Sequence, residues 1–286
     1  MTELDFSYET LENPWDFSHS ENEYRQYLME HHMSDNTINS YLYGLRQFFG
    51  FYKQLSLTSL NLYKVYLMEH YRPQTVNLRI RAMNSYLQFL GISDYKMKTV
   101  RIQQKTYLDR IISQADYEYL KRRLWEDGEY TFYFIVRFTT ATGIRVSELV
   151  TFQAEDVKKG YKNIYSKGNK MRRVYIPVSL QKPALIWLKE ENRISGPLFL
   201  NRFGEGISAT GIRGQLKMYA CRYGLDPMVV YPHSFRHRFS KNFIEKGGDI
   251  ALLSNLLGHD SLETTRIYLR RSSTEQAAIF NEVVDW

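Results

Sequence analysis

The stretch Tyr231-Pro-His-Ser-Phe-Arg-His237 decides how the chain is organised, together with Leu257-Gly-His259 and Arg266-Ile-Tyr-Leu269 further on. Proline belongs to the first turn of a helix, so a helix should begin at or near His233. His233 and Arg236 are three residues apart and therefore share one face of that helix, close to its N-terminus. An imidazole and a guanidinium in this position form a favourable place for a phosphate.

A short apolar helix should follow, bounded by Asp249 and Gly258. Asp249 is expected as its N-cap, and Gly258 as the glycine that ends it. His259 then falls in a tight turn, and Ser261 is expected to cap the next helix. That helix carries Tyr268, nine residues after His259.

Two earlier segments also carry groups suited to phosphate chemistry. In Thr142-Gly-Ile-Arg-Val-Ser-Glu-Leu149, Arg145 begins a helix, and Glu148 lies three residues on, where it can pair with and orient the arginine. Lys167-Gly-Asn-Lys170 lies between two alternating runs and predicts a tight β-hairpin with both lysines at its tip. Taken singly, such an arginine and such lysines are ordinary surface features.

In combination, these segments resemble the active-site signature of the tyrosine recombinases, also called the phage integrase family. The resemblance covers residues 18 to 271, and all six signature positions are matched in order: Arg145, Lys167, His233, Arg236, His259 and Tyr268. It implies that the two arginines hold the scissile phosphate and that the two histidines donate further hydrogen bonds. It also implies that Tyr268 is the nucleophile, that Lys167 protonates the leaving 5′ oxygen, and that Glu148 has a supporting role.

The implied chemistry fits these residue types. Attack by a tyrosine hydroxyl on a phosphodiester passes through a species with extra negative charge, which fixed cations stabilise. The 3′-phosphotyrosyl product conserves bond energy, so no ATP, metal or other cofactor is expected. The sequence has no Gly-x-x-x-x-Gly-Lys loop and no acidic metal motif. Two alternatives stay open: a type IB-like topoisomerase with the same chemistry, and a catalytically silent DNA-binding accessory protein.

The pattern of elements predicts a mainly α fold with a small β-hairpin. The expected organisation is an acidic N-terminal arm (1–17), a four-helix SAM-like core-binding domain (18–91), a linker (92–109), a tyrosine-recombinase catalytic domain (110–271) and a C-terminal tail (272–286). The tail has an apolar side that must be buried, and in the family such tails often dock on a neighbouring protomer.

Charge and composition favour a polyanionic partner. The net charge is +7, and residues 94–286 carry 31 basic side chains against 21 acidic ones. The single cysteine excludes an internal disulfide and fits a reducing cytosol. Without an apolar run long enough for a membrane span, a cytoplasmic, nucleoid-associated, bacterial-type protein is expected.

Double-stranded DNA is the expected partner, bound by a tetramer of this chain on two DNA sites, with or without a second recombinase or accessory protein. Basic residues on helix faces and on the hairpin are the candidates for DNA contacts: Arg46, Lys53, Arg72, Arg79, Arg81, Lys170, Arg213, Lys217 and Arg222.

Overall fold

The computed structural model describes residues 17–102, 110–166, 170–259 and 261–269, and the single residues 281 and 284. The chain divides into two compact units, 1–104 and 105–286, and each has its own hydrophobic core. The described part is mainly helical with one two-stranded sheet, so the predicted fold class is confirmed. Within these ranges, no helix has both the length and the apolar character that crossing a bilayer requires. Most of the predicted arm and tail falls outside the described residues.

The first unit contains the four predicted helices. Their bounds are α1 (Phe17–Glu30), α2 (Asp35–Phe51), α3 (Leu57–His70) and α4 (Pro73–Phe89). Ser34 caps α2 through its hydroxyl, and Pro73 occupies the first turn of α4, as their sequence contexts predict. The aromatic and aliphatic stripe of these helices forms the core, in which Tyr24, Phe48 and Tyr63 are fully buried.

The first half of the predicted linker is fastened to the first unit. The Asn84 side chain exchanges two hydrogen bonds with the backbone of Met97, at 2.9 and 2.8 Å. Two turns earlier on α4, the Asn77 side chain makes the same pair of hydrogen bonds with the backbone of Val100. These bonds hold an extended segment along α4, so the compact unit continues past Gly91, where helical periodicity ends.

The second unit carries nine helices and a hairpin in its described ranges. Their bounds are α5 (Gln114–Glu126), α6 (Tyr130–Thr142), α7 (Val146–Leu149), α8 (Ala154–Lys159), β1 (Tyr161–Ser166), β2 (Lys170–Tyr175), α9 (Val178–Glu190), α10 (Ala209–Arg222), α11 (Pro232–Glu245), α12 (Ile250–Leu257) and α13 (Leu262–Arg266). A 3₁₀ turn, Ile267–Leu269, follows α13. Of these, α8 has no counterpart in the sequence prediction, because six residues are too few to show a helical period.

The predicted hairpin is confirmed, with antiparallel strands in the register Ile164↔Arg172. Ile164 and Val174 are buried, so the alternation of side chains along β2 places Arg172 on the same inner face. The tip, residues 167–169, lies outside the described residues. One face of the hairpin is therefore directed into the protein, and this face carries an arginine.

Helices α6 and α11 pack closely where α6 ends. Gly143 terminates α6 in the left-handed region, with φ of 63°, as the sequence predicts. A Cβ atom at this position would lie 2.3 Å from the ring of Phe239 on α11. Glycine is required here both for the backbone turn and for the close approach of the two helices, which brings the following residue, Ile144, and then Arg145 towards the start of α11.

Candidate active site

Arg236 lies at the centre of the site, on the first turns of α11. Only 4% of its surface is exposed. Its Nη1 donates to the carbonyl of Gly143 at 2.7 Å, and its Nη2 donates to the carbonyl of Leu257 at 2.8 Å. Burial, together with the nearby charges of Arg145 and Arg172, lowers the pKa of Arg236 to about 10. The guanidinium therefore keeps its charge at neutral pH and is held rigidly.

Arg145 immediately precedes α7 and is held by Glu148, as the sequence predicts. Its Nη1 donates to one carboxylate oxygen of Glu148 at 3.1 Å, and its amide donates to the other at 3.0 Å. Its Nη2 donates to the carbonyl of Gly258 at 3.0 Å. The side chain is 35% exposed, so a phosphate can approach this guanidinium from solvent.

Arg172 is a third arginine of the site, and the sequence prediction did not include it. Its side chain is 11% exposed, and its Nη2 lies 2.5 Å from Glu148. Its Nη1 donates to the carbonyl of Leu256 at 2.6 Å. A signal for it existed in the sequence: Arg172 alternates with Val174 and Ile176, which are both buried.

The three arginines bind three successive carbonyls at the end of α12. Arg172 binds Leu256, Arg236 binds Leu257, and Arg145 binds Gly258. The last carbonyls of a helix lack partners within it and carry partial negative charge, so they attract cations. Glu148 is the carboxylate that pairs with two of the three guanidiniums, and the cluster keeps an excess of positive charge suited to an anion.

His259 follows Gly258 in the predicted turn, and its hydrogen bonds fix where its proton lies. Its Nε2 is 3.1 Å from Nη2 of Arg236, which can only donate, so Nε2 accepts. Its Nδ1 is 2.8 Å from the Thr265 hydroxyl. Burial, followed by the charge of Arg236, lowers the pKa of His259 to about 4. The ring is therefore neutral near pH 7 and carries its proton on Nδ1.

Tyr268 lies in the 3₁₀ turn that continues α13, a tightening that is common at helix ends. Its hydroxyl is 2.6 Å from Nδ1 of His237, the residue after Arg236. Burial raises the pKa of Tyr268, and a hydrogen bond with Ser240 and the charge of Arg236 offset this only in part. The hydroxyl therefore keeps its proton in the resting protein.

His233 begins the first turn of α11 and is exposed. Partial burial lowers its pKa, and the charges of Arg236, Arg145 and Arg213 lower it further. Five of the six signature residues thus lie in one region of the second unit. Lys167 falls outside the described residues, as does the side chain of Lys170, which begins β2.

The other DNA-contact candidates fall into two groups. Three have partners within the protein: Arg46 pairs with Glu21, Arg79 donates to the Ser40 carbonyl at 3.1 Å, and Arg222 pairs with Asp127 at 3.0 Å. The remaining candidates have exposed side chains, available to a phosphate: Lys53, Arg72, Arg81, Arg213 and Lys217. Of these, Arg213 lies close enough to His233 for its positive charge to contribute to the lowered pKa of that histidine.

Replacing Glu148 with glutamine is expected to lower the free energy of unfolding by about 2–4 kcal/mol at pH 7, because three clustered arginines lose their counter-charge. Burial alone would raise the pKa of Glu148, but Arg172 and Arg145 outweigh it and hold the pKa below its usual 4.5. The stabilisation is thus complete above pH 4.5 and is lost as the pH falls through the lowered pKa of Glu148.

Urea unfolding of both proteins from pH 3 to 8 measures this difference in the free energy of unfolding. The exposed Glu263→Gln, which breaks a pair with Arg266, is the control. A difference that does not shrink in acid would contradict this account.

Comparisons with known proteins find similarity in both units of the chain. The pattern of the phage integrase family matches residues 101–275, and that of the phage integrase N-terminal SAM-like domain matches residues 22–91. Tyrosine recombinase XerA of Pyrococcus furiosus is 29% identical over 255 residues, which are 87% of this chain and 88% of that protein. Tyrosine recombinase XerD of Staphylococcus haemolyticus is 24% identical over 287 residues, 91% of this chain and 96% of that protein. The structure of the Tn1549 transposon integrase with circular intermediate DNA superimposes with a TM-score of 0.70 at 15% identity, over 92% of this chain and 98% of that one.

Proposed function

Because the chain belongs to the phage integrase family, whose members are site-specific DNA recombinases, we propose that it cuts and rejoins DNA strands with Tyr268 as nucleophile. The observation that carries the assignment is the convergence of Arg145, Arg236 and His259 on the end of α12, one short helix before Tyr268. These groups come from distant parts of the chain, and a fixed cationic cluster beside a tyrosine is what attack on a phosphodiester requires.

In this reaction the scissile phosphate lies against the guanidiniums of Arg145 and Arg236. Their planar, bidentate geometry matches two nonbridging oxygens and favours the pentacoordinate species over the starting diester. His233, exposed at the start of α11, supplies a further hydrogen bond. The Tyr268 oxygen then displaces the 5′ oxygen and leaves a 3′-phosphotyrosyl link, and neither ATP nor a metal is consumed.

The departing 5′ oxygen needs a proton, and we assign that role to Lys167. The assignment rests on the resemblance and on the hairpin strands β1 and β2 that flank this lysine. Arg172 fixes β2 to α12 and thereby fixes one end of the hairpin beside the arginine cluster. General acid catalysis needs a proton donor beside the leaving oxygen, and the resemblance assigns that donor to this lysine.

The assembly and biological setting follow from the family. We propose that four protomers act on two double-stranded DNA sites in the nucleoid of a bacterial-type cell. The 272–286 tail would dock on a neighbouring protomer, and a second recombinase or accessory factor remains compatible with this scheme. The exposed candidates Arg81, Arg213 and Lys217 would contact phosphates, which position DNA without reading its sequence. Integration or excision of a mobile element and resolution of DNA dimers all use this chemistry.

The test is to trap the covalent intermediate and locate it on the chain. Nicked suicide duplexes from DNA beside the gene are incubated with the wild-type protein without ATP and with chelator. Tryptic digestion and mass spectrometry are expected to find a nucleotide on the Tyr268 peptide, and end-labelling should show a free 5′ hydroxyl.

A nucleotide on another side chain would overturn the assignment of Tyr268 as nucleophile. Relaxation of a supercoiled plasmid that lacks the site would favour a topoisomerase. Salt-sensitive binding of the cleavage site without any adduct would favour the silent accessory protein.

A further inference from the structure

His237 follows Arg236 on α11 and lies one turn after His233, and none of the roles assigned above involves it. Its Nδ1 atom is 2.6 Å from the Tyr268 hydroxyl oxygen. The two ring centroids are 5.8 Å apart, and the His237 and His233 rings are 6.4 Å apart. The tyrosine hydroxyl is therefore held by an imidazole that the helix fixes beside the arginine cluster.

The protonation states of this pair are those that a base and a nucleophile need before a reaction. Burial, with further contributions from the neighbouring His233 and Arg236, lowers the pKa of His237 to about 4. The ring is neutral near pH 7, so one of its nitrogens can accept a proton. Tyr268, with a raised pKa, keeps its proton until attack. Four titratable or charged groups face His237. Two are on its own helix, His233 and Arg236; the others are His259, in the loop after α12, and Tyr268.

From this geometry we infer that His237 takes the proton of Tyr268 during cleavage and returns it during rejoining. The inference rests on the proposed function, since it requires Tyr268 to be the nucleophile. In cleavage the O–H bond of Tyr268 breaks and its proton moves to Nδ1. The tyrosine oxygen bonds to phosphorus as the bond from phosphorus to the 5′ oxygen breaks, and that oxygen gains a proton from a different group. In rejoining, every transfer runs backwards, and His237 protonates the departing tyrosine oxygen.

The proton does not have to move before the attack begins. As the new bond to phosphorus forms, the tyrosine oxygen loses its affinity for the proton, so the transfer becomes favourable within the transition state. The phosphate also brings negative charge beside Arg236, whose positive charge contributes to the lowered pKa of His237 in the free protein. Substrate binding therefore raises the basicity of His237 when it is needed.

The decisive variant is His237→Asn, compared with His237→Ala. An asparagine amide reaches the place of Nδ1 and can hydrogen-bond the tyrosine, but it cannot carry a proton. We expect both variants to form the covalent intermediate about 10²- to 10³-fold more slowly than wild type. His70→Asn is the matched control, because His70 is an exposed histidine whose Nδ1 bonds its own helix at the Tyr66 carbonyl. Recovery of the wild-type rate in His237→Asn would reduce the histidine to a positioning residue and overturn the inference.

Two further readouts separate a lost base from a distorted site. With a sulfur atom in place of the bridging 5′ oxygen, the leaving group needs no proton, so the substrate should restore Lys167→Ala but leave His237→Asn slow. The deficit of His237→Asn should shrink about tenfold per pH unit in alkaline solution, where hydroxide takes the proton. Restoration of His237→Asn by the sulfur substrate would overturn the inference. The alanine variant takes the place of the asparagine variant in both readouts if the latter does not melt cooperatively. A covalent adduct that persists in Tyr268→Phe would instead refute the proposed nucleophile.

Discussion

Tyr268→Phe should form no covalent DNA adduct, with a rate at least about 10⁴-fold below wild type. The change removes one oxygen atom and keeps the ring. That ring packs against the small buried cluster of Ile244, Leu253 and Leu257, so the fold has little reason to change. The change removes the hydrogen bonds of the hydroxyl with His237 and Ser240, and their loss should alter the free energy of unfolding by about 1–2 kcal/mol.

The measurement is a time course of the protein–DNA adduct on denaturing gels, with DNA affinity measured in parallel at fixed salt. Affinity should stay within about twofold of wild type, because the arginines that bind phosphate are untouched. Tyr165→Phe is the matched control. Tyr165 is 69% exposed on the hairpin, so this variant should cleave DNA at the wild-type rate. An adduct in the phenylalanine variant at the wild-type rate would mean that another group attacks the phosphorus.

Arg236→Lys should slow adduct formation by about 10²- to 10³-fold, even though the charge is kept. A lysine offers a point charge where the site uses two directed N–H groups, one for Gly143 and one for Leu257. With one ammonium, these carbonyls and a phosphate oxygen compete for the same donor. The unpaired buried carbonyl should also lower the free energy of unfolding by about 1–3 kcal/mol.

Arg238→Lys separates the two effects. Arg238 lies on the same helix, is nearly as buried, and donates to the Ile112 carbonyl at 2.8 Å, away from the cluster. It should lose a similar amount of stability in urea unfolding and keep its cleavage rate. If the rate of adduct formation fell equally in both variants, the effect of Arg236→Lys would come from destabilisation of α11 and would not support a role in phosphate binding.

Local chemistry made much of this molecule predictable. Asp249 and Gly258 set the ends of α12, and Gly143 ends α6, because capping preferences act over a few residues. The pairing of Arg145 with Glu148 also depends only on a spacing of three. Such features can be predicted from sequence without any knowledge of the tertiary structure.

The contacts that were not predicted join distant segments. Nothing in the spacing of Arg172 shows that it meets Glu148 and the end of α12, although its alternation with buried residues shows that it faces inward. His237 likewise shares a helical face with His233, yet only the folded chain brings Tyr268 to it. The contacts of linker residues Met97 and Val100 were not predicted either, because their partners, Asn84 and Asn77, lie on the preceding helix α4.

The attachment of three arginines to three successive carbonyls makes the geometry of this site depend on the position of one short helix. Helix α12 is eight residues long and leads directly into the loop of His259 and then to Tyr268. A displacement of α12 by one hydrogen-bond length would release Arg145, Arg172 and Arg236 together and would carry the histidine and the nucleophile with it. We therefore expect a displaced α12 to inactivate the whole site of a protomer at once.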